Sequence, residues 1–432
     1  MTNLLDRWNQ QYFHGRLAPE VLEHLRDLPG QSAEVHAFVE RIFRFMNHAK
    51  YPAEDFSVLL AWAIGFLPSR VLPGAWGGLV PPITLEGRHT KINEYLARNP
   101  WHPLGSGATL LDLGCGFPPL TTIDTAKAFP DWRITGADPS FGKYIIYDEH
   151  NDYACIRSDG SIRYFQPSIM DFGRWESLYQ DQVATRAHFS ELFAKLRGNL
   201  DGVDSGEMSV VEQDGGRLVR NPLRSYETKN LSFQEGGIGD VSIENLDAVR
   251  CMNVLMYFDS DARMKARDWI AQILKPNGIF ICGVNWFKST NSRYTVFRKE
   301  NEHLAAKEFS FSIDNIRTLQ IVTWFALHDT DDETCRLAEA LRVLRSDVDF
   351  LRDFDQALDR IFALHQICAR KPDGYLGGIS EDITPAELER RLSAAESEIA
   401  SEGFGEKAVK VLQNAGYDAW LNCVGHISIT PA

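Results

Sequence analysis

The chain has 432 residues, 44% hydrophobic and 24% charged, the balance of a soluble globular protein with room for one large domain with additions or for two domains. Its 59 acidic residues outnumber 45 lysines and arginines, giving a formal charge of −14, which argues against a general nucleic-acid binder because phosphate contacts need a basic face. The longest apolar stretch, Val58 to Leu67, is too short to span a bilayer, and Met1 to Asp6 lacks the basic start and apolar run of a signal peptide, so a cytoplasmic protein with no membrane partner is expected. Seven widely spread cysteines with no C-x-x-C pair read as reduced, mostly structural thiols. The histidines show neither H-x-x-x-H nor H-x-E spacing, and no metal is expected.

Residues 1–107 read as a helical N-terminal layer. Leu22, Leu25 and Leu28, then Val35, Phe38, Val39, Ile42, Phe43 and Met46, recur near helical spacing. Asp55 to Leu67 and Leu85 to Leu96 read as further helices, separated by an irregular crossing at Pro73-Gly74, Gly77-Gly78 and Pro81-Pro82. Arg88, His89 and Lys91 are polar groups just upstream of the core. Such a layer either covers a ligand site or simply packs on the core.

The stretch Thr109 to Ser140 organises the rest. Thr109 to Leu113 is a short apolar run bounded by glycine, as in a buried parallel strand. Gly114-Cys115-Gly116 make a tight turn that lets a ligand approach the backbone. A helix follows Phe117-Pro118-Pro119 and ends at Pro130. The next strand finishes on Asp138, 22 residues after Gly116, the β-α-β geometry in which an acid grips ribose hydroxyls. A dinucleotide site wants a third glycine where Pro119 stands, and Asp112 opposes a pyrophosphate but suits an ammonium. A glycine turn without a ligand is the remaining alternative.

Residues 141–228 interrupt the core. YACIR and SIRYFQ flank Asp159-Gly160 as a hairpin, a helix or helix pair covers Ser177 to Leu200, and a polar run spans Gly202 to Gly216. Leu231 to Gln234 is the expected third core strand. A competing register makes Ile162 to Gln166 that strand, with Asp171 at its end. Long insertions of this kind form lids or substrate sites. Leu246 to Val254 is a fourth strand, expected to be buried on both faces apart from Asp247 and Arg250, and Asp259 to Asp261 cap a helix. After the Lys275-Pro276-Asn277-Gly278 turn, Ile279 to Val284 is a fifth strand.

Asp112-Leu113-Gly114-Cys115-Gly116 resembles the first motif of the class I S-adenosylmethionine (SAM) methyltransferases. Cys251 to Asp259, CMNVLMYFD, resembles the C-R-N-V-L-I-Y-F-D segment of the chemotaxis-receptor glutamate methyltransferases, with Met252 in place of arginine. The resemblance covers about 109–140 and 229–300 and implies a Rossmann-like α/β fold: a mostly parallel seven-stranded sheet with an antiparallel last strand. It implies SAM as cofactor and S-adenosylhomocysteine as product, held by Asp112, Gly114, Cys115, Gly116, Asp138, Pro139, Ile238, Asn253 and Val254, with Tyr257 near the transferred methyl. The family's acid after the third strand is Gly237 here, leaving the adenine to backbone, Glu235 or Asp240. The implied reaction is methyl transfer to an unidentified acceptor, a small molecule favoured over a protein. The alternatives are a protein carboxyl methyltransferase and a SAM-binding accessory protein without turnover.

Asn291 to Lys299 and Ala305 to Ser312 read as the last pair of strands of a core running over 108–320. A mainly helical extension fills 321–432, with an acidic helical region at 331–364, a helix opened by Thr384-Pro385 and two short strands within Asp418 to Thr430. His426 is read as a turn or partly buried histidine rather than a base. Dimerisation, lid and buttress remain open for this extension, including a homo-oligomer formed through it.

Overall fold

In the computed structural model, Thr109–Leu113 (β1) is the strand from which the central sheet is built outward, its side chains buried on both faces. The structure describes residues 4–13, 15–66, 84–169, 172–205, 210–213, 215–286, 290–379 and 383–431. The crossing expected at 73–82, Asp171 and part of the polar run at 202–216 lie outside them.

Among the described residues, four helices open the chain: α1 (Leu4–Tyr12), α2 (Pro19–Leu25), α3 (Ala33–His48) and α4 (Val58–Phe66). A fifth, α5 (Thr90–Arg98), leads into β1, which is followed by α6 (Leu120–Ala128) and β2 (Arg133–Asp138). The interruption holds β3 (Tyr144–Tyr147), β4 (Tyr153–Ile156), β5 (Ile162–Gln166), α7 (Phe172–Gln180), α8 (Gln182–Leu196), α9 (Leu200–Ser205), β6 (Val210–Gln213) and β7 (Gly216–Arg220). The core resumes with β8 (Leu231–Glu235), β9 (Leu246–Met252), α10 (Ser260–Ile273), β10 (Leu274–Val284), β11 (Arg293–Glu300) and β12 (His303–Phe311). The tail carries α11 (Asp332–Leu344), α12 (Val348–Leu364), α13 (Pro385–Ser401), α14 (Phe404–Asn414), β13 (Ala419–Leu421) and β14 (Ile427–Ile429).

Among the described residues the strands form two sheets. The larger has the order β13-β14-β12-β11-β10-β9-β1-β2-β8. Five strands, β8, β2, β1, β9 and β10, are mutually parallel, whereas β11 and β12 run as an antiparallel pair beside them. Those seven are the expected sheet; the tail hairpin β13–β14 pairs onto β12 and extends it to nine. The protein is thus mixed α/β with a mostly parallel central sheet. Leu231–Glu235 pairs with β2, and Ile162–Gln166 belongs to the second sheet, which rules out the competing register.

That second sheet is antiparallel and five-stranded, in the order β5-β4-β3-β7-β6. One face buries Tyr144, Ile146, Ala154, Ile156 and Phe165 against Trp175, Phe189 and Leu192 of its own helices. The other turns Ile145, Tyr153, Cys155 and Tyr164 into the core beside Phe117, Phe141 and Phe233.

Helix ends follow the sequence signals. Asp259, Asp331, Asp347 and Thr384 each accept a backbone N–H from the first turn of the helix they open. Asp347, with Ser346 before it, splits the expected acidic helical region into α11 and α12. Val35, Phe38, Ile42 and Phe43 of α3 share one apolar core with Leu337, Leu341, Phe354, Leu358 and Leu412 of the tail. Ile92, Tyr95 and Leu96 of α5 instead pack under the sheet. Two buried ion-pair groups reinforce these contacts: Arg263 with Asp331 and Glu333, and Asp55 with Arg345 and Arg370.

Candidate functional site

The site is built where β1, β2 and β9 end at the carboxyl edge of the sheet. Gly114 and Gly116 both adopt positive φ, +72° and +70°, which favours glycine. Gly114 also has a packing reason: a Cβ there would stand 2.3 Å from Val254 Cγ2. The N–H groups of Gly114 and Cys115 donate to the carbonyl of Ala137, at 2.8 and 3.3 Å, tying the turn to the end of β2. Cys115 is buried, and burial first, with the neighbouring charges of Asp138 and Asp112, pushes its thiol well up, so it serves as a packed wall rather than a nucleophile.

Asp138 closes the turn. Its carboxylate accepts the Gly116 N–H at 2.8 Å and the Ser140 N–H at 2.7 Å, and it is 5% exposed. Burial raises its pKa, opposed by those N–H groups and by Arg163. A carboxylate has about four lone-pair sites, so two further donors, such as vicinal hydroxyls, can still be accepted.

Asp112 stands differently from its sequence expectation. Its charge is matched by Arg250, with Nε 2.9 Å from Oδ1, and Thr122 donates to Oδ2 at 2.7 Å. Arg250 also reaches Asn93 and Thr125 between α5 and α6. The ammonium role assigned to Asp112 therefore competes with a buried guanidinium. The sequence signal was present but unread: one arginine in an apolar buried strand needs a carboxylate partner.

At the end of β9, Asn253 has φ +61° and donates its N–H to the carbonyl of Gly283 at 2.8 Å. Its Oδ1 accepts the Asn285 N–H at 3.2 Å, while Asn285 Nδ2 donates to the Arg88 carbonyl at 2.5 Å. The front layer is thereby joined to the site through Asn285, which sequence reasoning missed. The Arg88 guanidinium lies 5.2 Å from the Trp286 ring centroid, and burial lowers its pKa to about 10, opposed by Tyr257 and Glu389. His89 is 6% exposed, and neither ring nitrogen has a partner in good hydrogen-bond geometry, although Asn285 lies close enough to favour the charged form. Burial first, then Arg250 and Arg88, hold its imidazole neutral. Tyr257 packs edge-on against Phe325 at 5.6 Å, and burial raises its pKa, keeping the hydroxyl protonated.

The turn after β8 places the remaining expected residues. Ile238 is half-buried, and a Cβ at Gly237 would stand 3.7 Å from the Pro139 ring and 3.8 Å from Asp240 Oδ2. Glu235 and Asp240 are exposed. His426 is buried, its Nδ1 3.1 Å from the Tyr294 hydroxyl. Among the described residues no group of three or more His, Cys, Asp or Glu side chains is placed to hold a metal, and no helix is long and apolar enough to cross a membrane.

No family model and no curated protein matches the chain. Among solved structures it is similar to a Haloferax volcanii methyltransferase in complex with the Trm112 methyltransferase activator, at 18% identity over 45% of this chain and 51% of that one, with a TM-score of 0.22. The matched part thus spans about half the length of that relative. It is also similar to a SAM-dependent methyltransferase of Methanococcus maripaludis, at 12% identity over 84% and 89% of the two chains and a TM-score of 0.23. Human N-acetylserotonin methyltransferase, solved with SAM, matches at 12% identity over 61% and 47%, with a TM-score of 0.22. None of these findings concerns the chemotaxis-receptor enzymes.

Proposed function

We propose that the chain is a SAM-dependent methyltransferase acting on a small-molecule acceptor. The observation that carries this reading is the joining of Gly116 to Asp138: a positive-φ glycine turn held 2.8 Å from a buried carboxylate with capacity for two more donors. In this reading Asp138 takes the ribose hydroxyls, and Gly114 and Gly116 let the ligand lie against backbone. Cys115, Pro139, Ile238, Asn253 and Val254 line the remainder. When bound, SAM supplies an electrophilic methyl on a sulfonium, and the protein's task is alignment and exclusion of water.

Because Arg250 matches the charge of Asp112, that aspartate's main work is to fix β1 against β9, and the ligand ammonium is left chiefly to backbone carbonyls of the turn. Tyr257, kept protonated by burial, positions the acceptor rather than removing its proton. In this reading the neutral imidazole of His89 is the candidate to take a proton from a hydroxyl or amine acceptor, weakened as a base by the burial that lowers its pKa. Burial of Arg88 and His89 suits a small acceptor better than a protein surface.

Calorimetric titration tests the reading. SAM and S-adenosylhomocysteine are expected to bind at 1:1. Tight binding of NAD with none of SAM overturns it.

A further inference from the structure

Between β2 and β8 this chain inserts a whole antiparallel sheet, and two of its strands rest on the loops that the proposed function gives to the cofactor. The Tyr153 hydroxyl and Gln166 Nε2 both donate to the Phe117 carbonyl at 3.2 Å. The Arg163 guanidinium donates to the Pro139 carbonyl, and Cys155 Sγ lies 3.6 Å from the Ser140 carbonyl. The turn after β1 and the turn after β2 are thus both held by β4 and β5. A mobile cover would leave these turns to the core alone.

Tyr164 stands on the same face as Tyr153 and Cys155, opposite to Phe165, which packs on the insertion's own helices. It is 2% exposed, yet its hydroxyl meets no hydrogen-bond partner in good geometry. Its polar surroundings are Cys155, a weak sulfur acceptor, and Asp138, and burial keeps the phenol protonated. A buried hydroxyl served only by a weak sulfur acceptor is costly where phenylalanine would fill the same space. The turn after β8, beside Pro139, offers Gly236 and Gly237, with Glu235 and Asp240 exposed to solvent.

We propose that the inserted sheet is a fixed wall of the cofactor site and that the Tyr164 hydroxyl donates a hydrogen bond to the adenosine part of SAM. This rests on the function proposed above. The ligand class is an adenine nucleoside, since Tyr164 lies beside the carboxylate assigned to the ribose.

The test compares wild type with Tyr164→Phe for binding of S-adenosylhomocysteine, 5′-methylthioadenosine and adenosine, with thermal unfolding of both proteins. The variant is expected to melt at or above the wild-type temperature and to bind all three ligands about tenfold more weakly, the loss of one neutral hydrogen bond. Hydrogen exchange of wild type should slow at 139–142 and 163–166 on adding S-adenosylhomocysteine, a readout that stands even if the variant folds poorly. Affinities within twofold of wild type, a loss confined to S-adenosylhomocysteine, or no protection at 163–166 each overturn the proposal. If wild type binds S-adenosylhomocysteine and the variant matches it, only this inference falls. If wild type binds none of the three, the SAM reading falls with it.

Discussion

Asp112 and Arg250 are direct partners in the β1–β9 register and meet as a buried fork, Nε to Oδ1 at 2.9 Å and Nη2 to Oδ2 at 2.5 Å, with side-chain exposures of 2% and 0%. The pair carries a sharp expectation, because removing one member strands the other charge in the core. Arg250→Met should cost about 3–5 kcal/mol of stability, and the double variant Asp112→Leu/Arg250→Met should recover part of that loss. Urea unfolding of the three proteins decides it. Equal stability of Arg250→Met and wild type would mean that water reaches Asp112.

Asp138 is expected to link ligand binding to pH. A ribose hydroxyl donates only to an ionised carboxylate or its free oxygen, so protonation competes with the ligand. Burial raises this group's pKa, and binding of S-adenosylhomocysteine should therefore begin to weaken at a higher pH than an exposed aspartate would give. In the ligand-free protein the raised pKa favours folding below the unfolded value, and that contribution is lost as pH rises through the folded value. Asp138→Ala should lose about 1–3 kcal/mol of affinity at neutral pH, together with the acid dependence. An unchanged pH profile in the variant would assign the dependence to another group.

The core was legible because β1, β2, β9 and the 279–284 part of β10 are short runs bounded by glycine, proline and capping aspartates, all local signals. The structure carries residues 275–278 inside β10, with a shift of register between Leu274 and Ile279. The glycine turn and Asp138 were legible by spacing alone. Long-range matches were not. Arg250 announces only that a partner exists, and nothing local says that it is Asp112. Leu341 and Phe354 read as an amphipathic tail, but that their face meets Val39 and Phe43 across about 300 residues of chain is a tertiary fact. Likewise Asp159-Gly160 marks a hairpin, whereas the seating of Tyr153 and Gln166 on Phe117 depends on how the second sheet docks.

Glu308 is the anchor of the tail hairpin. It is fully buried and accepts hydrogen bonds from Tyr95 at 2.6 Å, Trp101 at 3.1 Å, Ser310 at 2.7 Å, Asn422 at 3.0 Å and Ser428 at 2.9 Å. Glu308→Gln turns one acceptor oxygen into a donor facing donors, and should cost about 1–3 kcal/mol. Because Asn422 follows β13 and Ser428 lies within β14, hydrogen exchange should speed up at 419–429 more than at 109–113. Uniform acceleration across the sheet would show that the hairpin does not open separately.

Asp314 gives a pH-dependent stability expectation away from the cofactor turn. Its Oδ2 accepts the Asn291 N–H at 2.7 Å, whereas its buried Oδ1 has no hydrogen-bond partner among the described residues. Arg317 and Glu396 line the same small cavity, and burial pushes the carboxyl up to about 6 against the pull of Ser312 and the Asn291 N–H. A folded pKa above the unfolded value means that this group favours folding below about pH 4 and that the contribution is lost as pH rises through about 6. Above that pH the folded protein carries a buried carboxylate at full cost. Asp314→Asn keeps the acceptor for Asn291 and removes the charge. It should therefore stabilise the protein by about 1–2 kcal/mol at pH 8 and by much less at pH 4.5. Urea unfolding at the two pH values checks this, and a gain of equal size at both would show that packing rather than ionisation is responsible.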